Sequence, residues 1–392
     1  MAHLCAARWW ALVGLLILCA CSPAPTPTPT LSPLPYAFQR LIAESPQREP
    51  PALWIGERVG IAAWVGSDEA GVHIDARTFS TTNGAMEPIT VLPLPPRRPA
   101  ALSLHPTSAR DGAARVRLLW LDADDSGATH LFSALIGGLD SGDLTVERGP
   151  IRVSDRPVQD YAAVFDGFGR LWTVWRGGLA SEPALYLQLI DSEARPGLPE
   201  RVAANAGAFT LVADSAGLHL FWVNRESNRI MQSQINDGAV THTHPLSNAP
   251  AFAPADRLLS LRVGIDRIQG CLFWHIERWN GGTPSREVWW TTGGLSRADW
   301  TTPVRLDARA AVPFQGYPPI ETLLIALDTE SALQIRPCRT GRMGALVESQ
   351  PSVAWLYPPY AMRRGDQLYL AWSEPLSESA ARLMIRKITL AS

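Results

Sequence analysis

Three short stretches of this 392-residue chain carry side chains that could hold a ligand or a metal ion. In the first, Asp122, Asp124 and Ser126 stand at alternate positions before a glycine. Hard oxygen ligands at that spacing begin a calcium-binding loop. The twelfth position of the pattern is Ser133 rather than glutamate, which excludes a complete EF-hand. A calcium turn and a solvated hairpin turn remain as the two interpretations.

The second stretch is a pair of histidines, His242 and His244, separated by one residue. On a strand this spacing places both imidazoles on one face. A metal site needs at least a third protein ligand, and none stands nearby in the sequence. A polar loop before Pro245 is therefore the alternative to a metal site.

The third stretch is Arg278, Trp279 and Asn280, which precede two glycines. An exposed tryptophan flanked by polar groups is suited to stacking on a sugar or peptide ring. The alternative is that Trp279 packs in the core together with the other tryptophans of this region.

Signatures of common hydrolases are missing. The sequence contains neither a Gly-x-Ser-x-Gly elbow nor a His-Glu-x-x-His pair. A sialidase would need an arginine triad, a tyrosine with a glutamate partner and an aspartic acid, and no spacing selects such a set. Arg58, Arg262 and Arg363 stand near predicted ends of inner strands and could face a channel mouth, although solvated or ion-paired arginines would look the same.

Two of the five cysteines, Cys271 and Cys338, lie well beyond the N-terminal region. They fall in successive repeats, outside the predicted signal segment, where a disulfide would persist. A bridge and two buried thiols are both consistent with their positions.

The N-terminal residues predict a targeting segment rather than folded structure. Arg8 precedes an apolar run over residues 9–20, which is shorter than the about 20 residues of a membrane-spanning helix. The run ends in Leu18-Cys19-Ala20-Cys21, which resembles the lipobox of bacterial lipoproteins. That resemblance implies a signal peptide over residues 1–20, lipidation of Cys21 and an extracytoplasmic location at a membrane. An ordinary signal peptide or an uncleaved anchor is the alternative.

Residues 21–35 alternate proline with threonine and predict an extended tether, because such a segment cannot form a strand ladder. The chain has 35 basic and 37 acidic residues, so its net charge does not suit nucleic-acid binding. Lys387 is the only lysine, which excludes a Walker A loop.

A tryptophan recurs within one short phrase at intervals of about 50 residues, the mark of a radial array. The fullest copy runs from Asp166 through Gly169 to Trp175. An aspartate followed by glycine predicts a turn in which the carboxylate caps backbone amides and the glycine takes a positive φ. The tryptophans of the repeat are Trp64, Trp120, Trp175, Trp222, Trp274 and Trp372. The interval from Trp274 to Trp372 is about twice the others, and Leu327 occupies the position at which a seventh tryptophan would be expected.

These repeats predict an all-β fold, a β-propeller of seven four-stranded blades over residues 36–392, with six to eight blades left open. The predicted strands are apolar on both faces, as expected where each blade packs between two others. Only one turn and one strand, residues 382–390, follow the last tryptophan. We therefore expect residues 36–42 to supply the outer strand that closes the ring.

The phrase resembles the Asp-box and related repeats of the sialidase-like superfamily, although no serine stands two residues before the aspartate. The resemblance implies architecture alone. The function expected from the sequence is a lipid-anchored, non-catalytic module that binds a protein or a glycan, with no cofactor. The alternatives are a sialidase-like glycoside hydrolase or lyase, and an envelope-assembly lipoprotein. A cluster of carboxylates with tyrosine or arginine at one channel mouth, with shifted pKa values, would favour the enzyme.

Overall fold

The computed structural model consists of β-strands and their connections throughout the part of the chain that it describes. That part is residues 36–390 except 108–114, 167, 180, 250–251, 254–255, 267–268, 281–282, 296–298, 317–322, 352–358 and 378–379. The predicted signal peptide, Cys21 and the tether lie outside it. No helix capable of crossing a membrane occurs within it.

The strands follow one another with short connections. In chain order they are β1 (Tyr36–Ser45), β2 (Ala52–Ile55), β3 (Val59–Asp68), β4 (Gly71–Ser80), β5 (Thr90–Leu92), β6 (Ala100–Pro106), β7 (Val116–Ala123), β8 (Thr129–Gly137), β9 (Thr145–Arg152), β10 (Val158–Phe165), β11 (Leu171–Gly177), β12 (Ala184–Ile190), β13 (Glu200–Ala204), β14 (Ala206–Asp214), β15 (Gly217–Asn224), β16 (Arg229–Asn236), β17 (Ala239–Pro245), β18 (Arg257–Ile265), β19 (Gly270–Asn280), β20 (Thr283–Gly293), β21 (Val304–Leu306), β22 (Ala310–Pro313), β23 (Gln315–Gly316), β24 (Leu324–Asp328), β25 (Ala332–Arg339), β26 (Arg342–Met343), β27 (Glu348–Pro351), β28 (Tyr360–Arg364), β29 (Gln367–Pro375) and β30 (Ala381–Thr389).

The strands form seven sheets, which confirms the predicted propeller. Blades I to V are β2–β5, β6–β9, β10–β13, β14–β17 and β18–β21, each antiparallel and in chain order from the inner strand outwards. Blade VI contains β22, β24 and β25, with the short β26 and β27 both pairing β25. Blade VII contains β28, β29, β30 and β1, and the short β23 runs parallel beside β28.

The N-terminal strand closes the ring as predicted. β1 pairs antiparallel with β30, so that Tyr36 stands opposite Ile388 and Ser45 opposite Ala381. The C-terminal blade thus obtains its outer strand from the beginning of the domain. This pairing covers the edge of β30 that would otherwise present unpaired backbone groups.

The direction of the strands distinguishes two ends of the ring. We call the end at which the inner strands begin the upper end, and the end at which they finish the lower end. The turns between the first and second strands lie at the lower end, as at Arg364 opposite Gln367 in blade VII. Thr389 of β30 stands opposite Gln367, so Tyr36, near that end of β30, also lies at the lower end.

The aspartate of the repeated phrase caps its turn as expected. Asp166 Oδ1 accepts the backbone N–H groups of Phe168 and Arg170, each at 2.9 Å. Gly169 has a φ of 77°, a conformation that a residue with a Cβ rarely adopts. Asp214 caps the corresponding turn of blade IV.

The repeated tryptophans occupy one position in the second strand of each blade. All six of them and Leu327 are buried. Each packs in an apolar cluster shared with the preceding blade, as Trp175 of blade III packs with Leu119 and Leu131 of blade II. Among the described residues there are seven such clusters, one at each of the seven blade interfaces. The core of this protein therefore lies between blades.

Two adjacent tryptophans divide between interfaces, as predicted from strand alternation. Trp289 packs against the cluster shared by blades IV and V, and Trp290 belongs to the cluster shared by blades V and VI. Trp290 stacks on Phe273, with ring centroids 6.3 Å apart.

The interface between blades V and VI is the one in which leucine replaces tryptophan. The same apolar cluster contains Cys271 of β19 and Cys338 of β25, which the structure joins as a disulfide with a Cα–Cα separation of 6.7 Å. This bond links the two blades covalently. We interpret it as reinforcement of the interface that lacks the repeated tryptophan.

Replacing Trp175 by alanine should lower the free energy of unfolding by about 3–5 kcal/mol, because the ring is buried and stacks on Tyr186 at 4.4 Å. The matched control is Phe168→Ala, which removes an exposed aromatic ring from the same blade and should change stability by less than about 0.5 kcal/mol. Urea unfolding measures both. Equal losses in the two variants would refute the packing role of Trp175.

Replacing both Cys271 and Cys338 by alanine should lower the free energy of unfolding by roughly 2–4 kcal/mol. Reduction of the wild-type protein should have a similar effect, and the double variant should not respond to reductant. Thermal unfolding with and without dithiothreitol measures this. A wild-type protein whose unfolding is indifferent to reductant would contradict the structural role of the bridge.

Candidate functional site

The centre of the ring is narrow enough for side chains of distant blades to meet. The hydroxyl of Tyr360, on β28 of blade VII, donates a hydrogen bond to the carbonyl oxygen of Leu102, on β6 of blade II. These blades are separated by blade I, so the contact runs across the upper part of the central channel.

The inner strands of blades II to V share an irregularity near their upper ends. Their registers with the second strands shift between Ala100 and Ser103, Val158 and Asp160, Ala206 and Phe209, and Leu258 and Ser260. Such bulges redirect side chains and are frequent beside functional sites. In blade III the shift lies beside Asp160.

Five of the residues at the upper part of the channel, which we call the channel cluster, are Asp160, Tyr161, Arg176, Arg262 and Tyr360. Asp160 faces Arg176 across the β10–β11 pair. Arg262 influences the pKa values of both Asp160 and Tyr360. Since blades III, V and VII are not neighbours, these charges and hydroxyls can interact only around the ring centre.

The buried Nε atoms of the two arginines in the channel cluster lack hydrogen-bond partners among the described residues. Burial lowers the pKa of Arg262, while Tyr360 and Asp160 raise it. Burial also lowers the pKa of Arg176. Among the residues that the structure describes, no acceptor contacts either buried Nε atom. A guanidinium group has five N–H donors, and leaving them unsatisfied away from bulk water is unfavourable.

Asp160 is exposed, yet desolvation raises the pKa of its carboxyl group, and Arg176 opposes that shift. A group that water reaches but that protein surrounds lies in a recess, which is the expected environment of a channel lining. Its only hydrogen bond within the described residues is accepted from the backbone N–H of Tyr161 at 2.8 Å. The carboxylate therefore keeps acceptor capacity for a ligand.

The two tyrosines differ from the arginines because their hydroxyl groups are occupied. The Tyr161 hydroxyl donates to the carbonyl oxygen of Ala101 at 2.5 Å and lies 2.8 Å from Ser103 Oγ. Burial raises the pKa of Tyr161 well above its usual value and that of Tyr360 to about 12. Both tyrosines therefore keep their protons at neutral pH.

His275 lies on β19, opposite Ser260 of the inner strand β18 that also carries Arg262. Its Nε2 accepts the backbone N–H of Ala311 at 3.3 Å, which places the ring proton on Nδ1, 3.0 Å from Ser260 Oγ. Burial, followed by the charge of Arg262, lowers the pKa of His275 to about 4. The imidazole is a neutral, hydrogen-bonded part of the channel wall.

The predicted calcium turn is a hairpin turn at the upper end of blade II. Asp122 accepts the backbone N–H groups of Arg97 and Arg98, the latter at 2.6 Å, and Asp124 Oδ1 accepts those of Ser126 and Ala128. Asp124 Oδ1 also accepts the hydroxyl of Ser126 at 2.6 Å, and Asp124 Oδ2 lies 3.1 Å from His130 Nε2. Within the described residues no group of three acidic, histidine or cysteine side chains is placed to hold a metal ion.

These aspartates also line a small surface cleft of about 180 Å³ with Pro95, Trp120 and Pro150. The cleft lies at the upper end of blade II, apart from the channel cluster.

The other sequence-predicted residues do not meet one another. His242 and His244 lie on the outer strand β17 and pair with Gln234 and Gln232. Arg278 is held by Asp256 at 3.1 Å and Glu287 at 3.2 Å. The side chains of Trp279 and Asn280 lie outside the described ones.

The three arginines proposed for a channel mouth separate between the two ends. Arg262 belongs to the channel cluster. Arg58 lies in the exposed turn between β2 and β3, and Arg363 near the end of β28, both at the lower end. Asp160, Tyr161, Arg176 and Tyr360 were missed by the sequence reasoning. The signal available for them was a polar residue near the upper end of an inner or second strand.

No protein-family model matches the sequence, and no curated protein matches it. Its fold is similar to that of solved propellers. The polysaccharide lyase Uly1 aligns with a TM-score of 0.59 and 10% identity over 95% of this chain and 94% of Uly1. A sialidase of Trypanosoma rangeli, solved with 2,3-difluorosialic acid as a covalent intermediate, aligns with a TM-score of 0.50 and 9% identity over 87% of this chain and 54% of the sialidase. At these identities the similarity establishes a sialidase-like propeller fold.

Stability should fall as the pH falls from about 6.5 toward about 4, because unfolded histidine binds a proton in this range that native His275 does not. Full stability from this group is present above pH 6.5. Urea unfolding should therefore show that the free energy of unfolding falls less between pH 7 and pH 5 in His275→Gln than in wild type. The difference should be at most about 1.4 kcal/mol per pH unit, the value for one proton. An unchanged slope in the variant would contradict the role of His275.

Proposed function

We propose that the chain is a lipid-anchored, extracytoplasmic propeller that binds an anionic saccharide at its upper channel mouth and does not cleave it. One observation carries the proposal. The Arg262 Nε lies buried near the ring centre without a hydrogen-bond acceptor among the described residues. A carboxylate or sulfate group of a ligand would supply paired acceptors for a planar guanidinium.

The state of the tyrosines favours binding over a sialidase-type reaction. A tyrosine nucleophile must lose its proton, whereas Tyr161 and Tyr360 donate theirs to backbone carbonyls and have raised pKa values. Their rings are suited to packing against a sugar face. The likeness to a polysaccharide lyase and a sialidase supports a saccharide as the class of ligand.

Calorimetric titration of residues 36–392 with polygalacturonate, hyaluronate and sialyllactose, beside neutral dextran, tests the binding. An acidic saccharide should bind and dextran should not. Arg262→Gln should weaken binding by about tenfold or more, since a charge-assisted hydrogen bond contributes roughly 1.5–3 kcal/mol. The control Arg58→Gln changes an exposed arginine at the lower end and should bind like wild type. Failure of every acidic saccharide to bind, or equal binding by Arg262→Gln, would refute the proposal.

The same saccharides serve to test the absence of cleavage. Incubation should yield neither new reducing ends nor the ultraviolet absorbance of an unsaturated uronate. If wild type forms product and Arg262→Gln does not, the proposal of a non-catalytic module is wrong. The protein would then be a sialidase-like glycoside hydrolase or lyase.

A further inference from the structure

The lower end of blade III holds two large apolar side chains in water. Phe168, in the turn between β10 and β11, is 84% exposed, and Leu198, between β12 and β13, is 94% exposed. Single exposed apolar residues are common on soluble proteins. Phe168 and Leu198 lie at the same end of the same blade. Hydrogen bonds or ring contacts fix the chain beside each of them.

The Phe168 ring is fixed by its surroundings rather than left free. Its backbone N–H is bound to Asp166, and the Arg170 guanidinium lies 5.1 Å from the ring centroid. Arg170 is itself held by ion pairs with Asp166 at 2.6 Å and Asp237 at 3.2 Å. The cation therefore orients the ring instead of remaining available to a ligand.

The backbone before Leu198 is pinned in the same manner. The N–H of Gly197 donates to the carbonyl oxygen of Leu189 at 2.8 Å, and the carbonyl of Gly197 accepts from Gln188 Nε2 at 2.7 Å. These two bonds hold the peptide groups on either side of Gly197, and the Leu198 side chain that follows is 94% exposed. Leu198 is thus presented outward.

The polypeptide joins the domain at the same end of the ring. Tyr36, the first residue of β1, lies at the lower end, and the 35 preceding residues contain the predicted tether and lipidated Cys21. The channel cluster lies toward the opposite end. The attachment point and the two apolar residues therefore share one end, and the candidate binding site belongs to the other.

We propose that the lower end of blade III rests on the membrane, with Phe168 and Leu198 entering the interface of the bilayer. Apolar side chains at such an interface strengthen attachment by a single lipid anchor. The upper channel mouth then faces away from the membrane. The inference rests on the lipid anchor of the proposed function and is independent of the ligand.

Site-specific labelling of the full lipidated chain tests this orientation. Phe168→Cys, Leu198→Cys and, as matched control, Leu179→Cys would each carry an NBD fluorophore. Leu179 is 73% exposed in the upper turn of the same blade. In the mature chain Cys21 is predicted to be acylated and Cys271 is bonded to Cys338, so the introduced thiol alone reacts.

On vesicles of phosphatidylethanolamine and phosphatidylglycerol, doxyl-labelled lipid should quench the label at positions 168 and 198 several-fold more than at 179. Equal quenching at the three positions, or stronger quenching at 179, would overturn the orientation. A blue-shifted label at 168 that lipid does not quench would indicate a protein contact and would also overturn it.

Two further measurements separate this inference from the proposed ligand. The Cys21→Ala variant should no longer sediment with the vesicles. If it sediments with them as wild type does, the proposal of a lipid anchor at Cys21 is wrong. Arg262→Gln in the labelled protein should keep the quenching pattern whether or not it binds saccharide. A pattern that Arg262→Gln abolishes would refute the independence of the two ends.

Discussion

The structure depends on one contact that is repeated around the ring: the second strand of each blade packs a large apolar side chain against the preceding blade. A four-stranded blade with two apolar faces cannot be stable alone, because both faces need a neighbour. The contact therefore couples folding of each blade to closure of the ring. At the interface of blades V and VI the position holds Leu327, and there the Cys271–Cys338 disulfide adds a covalent link. The β1–β30 pair completes the ring by covering the outer edge of the last blade.

The features that recur in every blade could be predicted from the sequence, because a few adjacent residues encode each of them. The turn at Asp166 and Gly169 and the buried strand ending at Trp175 are determined by a few adjacent residues. The closing strand followed from the short segment after Trp372. The channel cluster could not be predicted in this way. Asp160 and Tyr360 are far apart in the chain and belong to blades that are not neighbours, so only ring closure brings both within electrostatic reach of Arg262. Asp122 shows the converse: its spacing suggested a metal, whereas its partners are backbone amides of Arg97 and Arg98 in the preceding connection.

In the channel cluster the tyrosine hydroxyl groups have hydrogen-bond partners, whereas the buried Nε atoms of the arginines have none among the described residues. This difference has one physical origin. Ala101 has a positive φ of 51°, and the register of β6 shifts beside it. A bulge interrupts the ladder and leaves carbonyl groups in need of donors. Tyr161 and Tyr360 donate to the carbonyls of Ala101 and Leu102, so these hydroxyls complete the backbone of blade II. The arginines have no comparable task, since the buried Nε atoms of Arg176 and Arg262 face no acceptor in the described part of the chain. The tyrosines thus shape the recess, and the arginines give it a charge.

The two ends of the ring are built for different tasks. Turns of the lower end, such as those at Asp166 and Asp214, are tight, and a carboxylate in each satisfies the amides of its own turn. The upper end receives the connections between blades, and there blade V forms ion pairs among Asp256, Arg278 and Glu287. The charged recess of the channel cluster lies toward the upper end, so selectivity for the proposed ligand would arise there. The proposed orientation, with the lower end at the membrane, would leave that recess open to the surrounding solution.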